Sequence, residues 1–337
     1  MKSLPLLLTF HLLLTLPSFA QPASSLRPIL DSSLAKMEQY SLHRQQINWK
    51  EFRDRAYRLT EGLDNPDSLY QKFTTLFEWL DDDHGGLQTA AVYISWQKRN
   101  NRENGRYAFF DSVAGKVAPL KAARWEDLAY LRVPGGTTKS VPKVIKLITD
   151  SLCTITPSTA TGWVLDLRLN RGGNVWFNLA SLATLIGDGP AGGIRFLDDR
   201  PEQTIRIEQG RAFGNGQWYG ADSAICPLFS SRTPVVVLTG PLTASSAETL
   251  LLAFKGRPHT LIIGEPTGGF TTNNNSFPLT DKLTLVLATG YMTDRQGKVY
   301  ASSIAPDIMI TGGDNFADLQ QDAKVAAAIE WLKKQMD

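Results

Sequence analysis

The chain is poor in the groups on which much protein chemistry depends. Only Cys153 and Cys226 are cysteine among 337 residues, and only four residues are histidine. No histidine is paired with a second histidine at i+4 or with a cysteine, so the ligand spacing of a metal site is missing. Neither a metal nor a cofactor is expected. Charge of one sign is also lacking: 35 Lys+Arg stand against 33 Asp+Glu, for a net charge of +2. That balance argues against nucleic acid or an anionic surface as partner. Beyond residue 20 no apolar run approaches the length of a membrane span. Internal repeats and low-complexity tracts are absent too. The two cysteines lie just upstream of expected core strands, so in an oxidising compartment they can pair; two buried free thiols are the alternative.

The first twenty residues do not belong to the fold. Lys2, a leucine-rich stretch from Leu4 to Leu16, Pro17 and Ser18-Phe-Ala20 form a signal peptide with a small-x-small cleavage site. Gln21 is expected to begin the mature chain, exported to the periplasm or the exterior. Residues 21–86 then read as an N-terminal helical subdomain. Asn48-Trp-Lys-Glu51 has the form of a capping box, and Asn65-Pro66-Asp67 that of an N-cap followed by proline at the first helical position. From residue 87 to 337 the pattern changes. Short β-rich runs, among them Ala129–Val133, Gly162–Leu167, Pro234–Leu238 and Thr260–Ile263, alternate with helical patterns at Val141–Leu152, Val175–Ile186 and Ser246–Phe254. Helices between buried apolar strands imply βαβ units, a largely parallel sheet and an α/β fold. Sites in such sheets lie beyond the carboxyl ends of the strands.

Three motifs fall at such places. The strand at Pro234–Leu238 ends at Gly240-Pro241, and Ser245 follows at the mouth of a helix beginning near Ser246. Free N–H groups and the positive dipole end favour developing negative charge there, which suits an acyl-transfer nucleophile. Ser245-Ser-Ala-Glu248 is equally a capping box, so Ser245 as a plain helix cap stays open. The second motif, Asp166-Leu-Arg-Leu-Asn-Arg-Gly172-Gly173, is a strand running into a glycine pair before a helix. It is either an oxyanion hole or an ordinary strand-to-helix turn. Asp166 and Arg168 are read as pairing with each other or their surroundings. The third is Leu80-Asp-Asp-Asp83-His84-Gly85-Gly86, in which a histidine leaves a helix among acidic neighbours. His43 is read as lying within an amphipathic helix and His259 in a surface-type turn, which leaves His84 as the best general base.

Together and in this order, the motifs resemble the C-terminal processing (tail-specific) and tricorn-core serine peptidases. Leu80-Asp-Asp-Asp-His-Gly is similar to that family's Leu-Gly-Asp-x-His-Thr. Thr243-Ala-Ser-Ser-Ala-Glu248 is similar to its Ser-Ala-Ser-Ala-Ser-Glu, and Gly264-Glu-Pro-Thr267-Gly and Ser303-Ile-Ala-Pro-Asp307 match two further segments. The resemblance covers roughly residues 75–310. It implies a crotonase/Clp-protease-like core, a peptide or protein substrate and a Ser245 acyl-enzyme. His84 would be the base, Asp83 its orienting group, and the amides of Gly173 and Ser246 the oxyanion hole, with Gly172 allowing the approach.

The departures are as informative. Phe270 stands where one branch of the family has a lysine base, and no lysine lies between Lys255 and Lys282. The resemblance is therefore to the branch with a histidine base, but Tyr300 holds the place of that branch's supporting glutamate. Phe270 either lines a pocket or is an ordinary buried aromatic. Only about 45 residues separate His84 from Tyr130, too few for the PDZ domain of processing members. The loop Gly268–Ser276, with its three asparagines, is expected to be mobile and to border the substrate cleft. A non-catalytic ligand-binding module on the same fold, or an amide or ester hydrolase of small molecules, are the alternative readings.

Overall fold

Amphipathic patterning and capping build the first layer. The computed structural model describes residues 26–96, 105–136, 140–156, 162–214, 216–220 and 232–335. Helices α1 (Arg27–Tyr40), α2 (Trp49–Leu59) and α3 (Pro66–Trp79) open the chain. The Asn48 side chain accepts from the Glu51 amide, and that of Asn65 from the Asp67 amide with Pro66 at the first turn, as the caps require. Leu69, Phe73, Leu76 and Phe77 of α3 are fully buried against Leu283, Leu285 and Leu287 of a long strand far along the chain. The signal-peptide assignment lies outside the described residues. No described helix is long and apolar enough to cross a membrane.

Two sheets follow. The first contains β1 (Gly86–Gln88), β2 (Tyr93–Ile94), β6 (Gly189–Arg195), β7 (Gln203–Glu208), β8 (Arg211–Gly214), β9 (Gln217–Tyr219), β12 (Thr272–Thr280), β13 (Leu283–Thr293) and β14 (Val299–Tyr300). All its pairs are antiparallel. The second has the order β15-β11-β10-β5-β4-β3, with β3 Lys121–Trp125, β4 Leu128–Arg132, β5 Gly162–Asp166, β10 Val235–Thr239, β11 Thr260–Gly264 and β15 Ile308–Met309. Apart from the β3–β4 hairpin it is parallel. The fold is α/β. Its parallel part is confined to this second sheet, and an antiparallel sheet of comparable weight stands beside it. Strands β6 and β12 of that first sheet are rich in glycine or in polar residues, so little apolar alternation marks them.

The helices α4 (Gly105–Ala114), α5 (Val141–Ile155), α6 (Val175–Ser181), α7 (Ala183–Ile186), α8 (Ser246–Phe254) and α9 (Ala323–Lys333) complete the chain. Alternation along the parallel strands decides what each helix covers. Leu131, Trp163, Leu165, Val235 and Val237 face α5, α6 and α8, whereas Leu128, Tyr130, Val164, Val236 and Leu238 face α9. Cys153 of α5 is disulfide-bonded; its expected partner, Cys226, lies outside the described residues.

At the carboxyl ends of these strands lies a set of four cations and four carboxylates, all buried except the half-buried Arg106. Arg168 binds Asp166 at 2.8 Å, Asp314 at 2.8 Å and Asp322 at 2.7 Å. Lys324 binds Glu265 and Asp314, Arg106 reaches the same two carboxylates, and Arg132 approaches Asp166. The expected pairing of Asp166 with Arg168 is thus part of a larger neutral cluster. Burial pushes the Asp166 carboxyl up, but Arg168 outweighs it and holds it below the ordinary range. Asp322 also caps α9 through the amides of Lys324 and Val325. Removing one partner of such a set leaves a buried charge unpaired. Asp322→Ala should therefore lower unfolding stability by about 3–5 kcal/mol. A urea-denaturation difference near zero would show that the cluster is not holding the strand ends.

Candidate active site

Ser245 sits on the turn between β10 and α8 at φ 56°, ψ −121°, a conformation that non-glycine residues rarely adopt. Three contacts hold it. Its amide donates to Glu248 Oε2 at 2.8 Å, the carboxylate arm of the capping box. The Ala244 amide before it donates to the Asn170 carbonyl at 3.2 Å. Gly172 lies against it so closely that a Cβ there would stand 2.5 Å from the Ala244 carbonyl and 2.8 Å from Ser245 Cβ. Only glycine fits, and its φ of 88° requires glycine as well. The Ser245 hydroxyl does more than cap a helix: Oγ lies 2.9 Å from His84 Nε2.

His84 arrives from the turn after α3. Asp82 shapes that turn, with Oδ1 accepting from the His84 and Gly85 amides and Oδ2 from the Ala288 amide of β13. His84 Nδ1 lies 2.7 Å from Thr272 Oγ1. With Nδ1–H donating to Thr272, Nε2 is the free acceptor facing the serine. The Phe270 ring packs on the imidazole at 5.2 Å between centroids. Enclosure between Ser245, Thr272 and Phe270 desolvates the ring and lowers its pKa to about 4, against an opposing hydrogen bond to the Thr272 backbone.

Three expectations are corrected here. Thr272, not Asp83, faces Nδ1, and the acidic residue that organises the turn is Asp82; Asp83 lines a separate cavity behind the site together with Asp81 and Ser303. A left-handed Asp81, φ 53°, sets the phase that turns Asp82 inward. Tyr300 lies in the β13–β14 hairpin, where its hydroxyl donates to Asp294 at 3.0 Å, and it gives no support to His84. Phe270 packs on the histidine. The expected mobile loop at Gly268–Ser276 is in part strand β12, hydrogen-bonded along β13. It borders the cleft as expected.

That cleft, of about 490 Å³, is lined by Ser245, Ser246, Gly173, Thr272 and Asn274 among others. Gly173 is fixed by a backbone bridge to Gly136, and both residues expected to supply oxyanion amides, Gly173 and Ser246, line this cleft. Asn170 ties these loops together: Oδ1 accepts from the Gly172 amide and Nδ2 donates to the Pro134 carbonyl.

Sequence reasoning also underrated Glu248. It is buried, and besides Ser245 it accepts from Thr267 Oγ1 at 2.5 Å and the Gly269 amide at 2.9 Å. Thr267 in turn accepts from the Ile304 amide. The Glu248 carboxylate thus joins three of the motifs read from sequence.

A serine in contact with a histidine, on the strand-to-helix turn of an α/β core, is the constellation of a serine hydrolase. The chain belongs to peptidase family S41, whose model matches residues 127–310. It is 27% identical over 177 residues to the nisin-resistance protein of Lactococcus lactis subsp. lactis, covering 52% of this chain and 51% of that protein. It is 26% identical over 202 residues to the carboxy-terminal-processing protease of Bartonella bacilliformis, covering 59% and 43%. The matches thus span about half the length of these relatives or less. A solved lipoprotein from Streptococcus agalactiae has the same fold, with TM-score 0.71, 21% identity, and coverage of 95% of this chain and 100% of that one.

Desolvation acts on Glu248 and His84 with opposite sign. Burial raises the Glu248 carboxyl to about 7 despite its hydrogen bonds. Its folded pKa is above the unfolded value, so its contribution falls as pH rises from about 4.5 to 7. The His84 pKa is lowered, so stability from that group rises with pH between about 4 and 6.5. Glu248→Gln should remove the first slope. Stability of wild type relative to this variant, from urea titrations, is expected to decline by about 3 kcal/mol between pH 4.5 and 7. A pH-independent difference would mean that Glu248 titrates normally.

Proposed function

We propose that the protein is an exported serine peptidase that cleaves peptide bonds through a Ser245 acyl-enzyme with His84 as general base. The single observation that carries this is the 2.9 Å contact of Ser245 Oγ with His84 Nε2, with the opposite ring nitrogen engaged by Thr272. Geometry of this kind removes the hydroxyl proton as the serine oxygen attacks the carbonyl. His84 then returns the proton to the leaving amine, and a water repeats the sequence to release the acid. Thr272 takes the orienting role that a carboxylate holds in other triads. The amides of Gly173 and Ser246 receive the oxyanion, and Gly172 permits their close approach.

A base with a pKa near 4 is neutral at neutral pH. Its protonated form is then unfavourable until negative charge develops on the substrate oxygen beside it, which couples proton transfer to attack. We assign residues 21–86 to a helical part that delivers His84 and residues 87–337 to the α/β catalytic part without a PDZ domain. The leader of residues 1–20 directs the chain to the periplasm or the exterior. A polypeptide substrate accords with family membership and with relatives that include a processing protease.

The test is incubation with a mixed-sequence peptide library and mass spectrometry of the products. Ser245→Ala and His84→Gln should each lose about four to six orders of magnitude in kcat/KM; normal turnover by Ser245→Ala sinks the proposal. Thr272→Val, which takes the Oγ1 partner from Nδ1, is expected to cost about ten- to a hundredfold. The acid limb of kcat/KM should fall as pH drops through about 4, the His84 value, and not through the ordinary histidine range. An acid limb at 6.5 would mean that a solvated group is the base.

A further inference from the structure

Asn274 carries a feature that the acyl-transfer machinery does not use. Its Nδ2 donates to the His84 carbonyl at 2.9 Å, which fixes the amide orientation, because the reverse would set two acceptors against each other. Its Oδ1 is then left buried and without a hydrogen-bond partner among the described residues. Buried acceptors are almost always satisfied, so an unmet one on the wall of a cleft points to a ligand donor.

The backbone explains why Asn274 faces the cleft at all. Successive residues of a strand point to opposite faces, yet Thr272, Asn273 and Asn274 all line the cleft beside Ser245. The β12–β13 register shifts between Asn273 and Asn274. A bulge of this sort re-aims a side chain, and bulges concentrate next to active sites. Here it brings Thr272 to the histidine ring and Asn274 to the histidine carbonyl and the cleft. Among the described residues β12 pairs with β13 alone, leaving its other edge unpaired.

The nature of the missing donor follows from the surroundings. No charged side chain is among the described residues lining the cleft, so a cationic donor would find no countercharge. A neutral N–H suits a neutral amide oxygen, and a polypeptide presents one at nearly every residue. A second buried orphan, the Ser246 hydroxyl, lines the same cleft and adds to its unmet polar capacity.

We propose that Asn274 is a substrate-binding residue whose Oδ1 accepts a hydrogen bond from one backbone N–H of an uncharged peptide segment lying beside Ser245. The inference rests on the reading of this cleft as a peptidase site. It adds that one particular main-chain amide of the substrate is read by the same asparagine that positions the histidine loop.

The experiment measures binding, so that its failure is separable from a failure of catalysis. The Ser245→Ala protein is titrated by fluorescence anisotropy with a labelled neutral peptide, Ala-Val-Ala-Leu-Ala-Val-Ala amide. A series of analogues replaces each backbone N–H in turn by an ester oxygen. Ser245→Ala/Asn274→Ala should bind the parent peptide roughly 5- to 100-fold more weakly. For one analogue alone, the one whose N–H is gone, adding Asn274→Ala should cost nothing further. A merely structural role cannot produce that selective loss of coupling. Should the alanine variant fail to fold, Asn274→Thr, whose β-branched side chain suits a strand, is put through the same cycle with the same expected signature. The proposal is overturned if the asparagine substitution weakens all analogues equally, if it leaves the parent affinity unchanged, or if the parent peptide does not bind. Selective coupling in a wild-type protein that cleaves nothing would uphold the inference and refute the peptidase reading.

Discussion

The structure turns on the cost of holding a serine at φ 56°, ψ −121°. A non-glycine residue there stores on the order of 1–3 kcal/mol and persists only where its surroundings over-determine it. Asn170, Gly172 and Glu248 supply that determination from three sides, by a backbone bond, a surface without a side chain and a carboxylate on the serine amide. Each depends on a further layer. Asn170 is itself held by the Pro134 carbonyl and the Gly172 amide. Glu248 is held by Thr267 and Gly269, on the loop that follows Glu265 of the ion cluster.

That cluster is the foundation for the loops. Parallel strands end in loops whose backbone groups have no ladder partners, and side chains must fix them instead. Arg168 does this for the loop after β5, while Lys324 and Arg106 do it for the loop after β11 through Glu265. Four positive and four negative groups cancel in net charge. An arrangement of this kind contributes little to stability over an apolar equivalent, but it permits only one geometry. Uniqueness of geometry is what a strained serine requires.

Residues whose chemistry admits few substitutes were legible in the sequence. Ser245 and His84, which meet at 2.9 Å, and the Gly172-Gly173 pair stand out in the sequence by type and place, and the helix starts at Asn65 and Ser245 are visible in the capping pattern. The orienting group was not. Thr272 meets His84 across 188 residues of chain, and nothing local to either marks the meeting. Strand β12 escaped notice because Thr272-Asn-Asn-Asn-Ser276 lacks apolar alternation; side-chain hydrogen bonds and the partner strand β13 hold it. In the run of three acids, choosing Asp82 over Asp83 depended on one left-handed residue, which sequence does not announce. Tyr300 was placed by motif correspondence alone, and its hairpin pairs it with Asp294.

Around Ser245, desolvation rather than a charged partner sets the protonation states. His84 is pushed toward the neutral base, and Glu248 toward the neutral acid, by the same lack of water. Between about pH 5 and 7 both favour their uncharged forms, and the described walls of the cleft carry no charged side chain. The only full charges that the proposed reaction then places in this space are its own, the imidazolium at His84 and the oxyanion on the substrate. In a poorly solvated site these two attract strongly, and neither is screened by a fixed neighbour. A permanent carboxylate at Nδ1 would stabilise the imidazolium before attack as well as after it. Thr272 accepts the Nδ1 hydrogen without that ground-state charge, so stabilisation of the imidazolium is reserved for the moment the oxyanion appears.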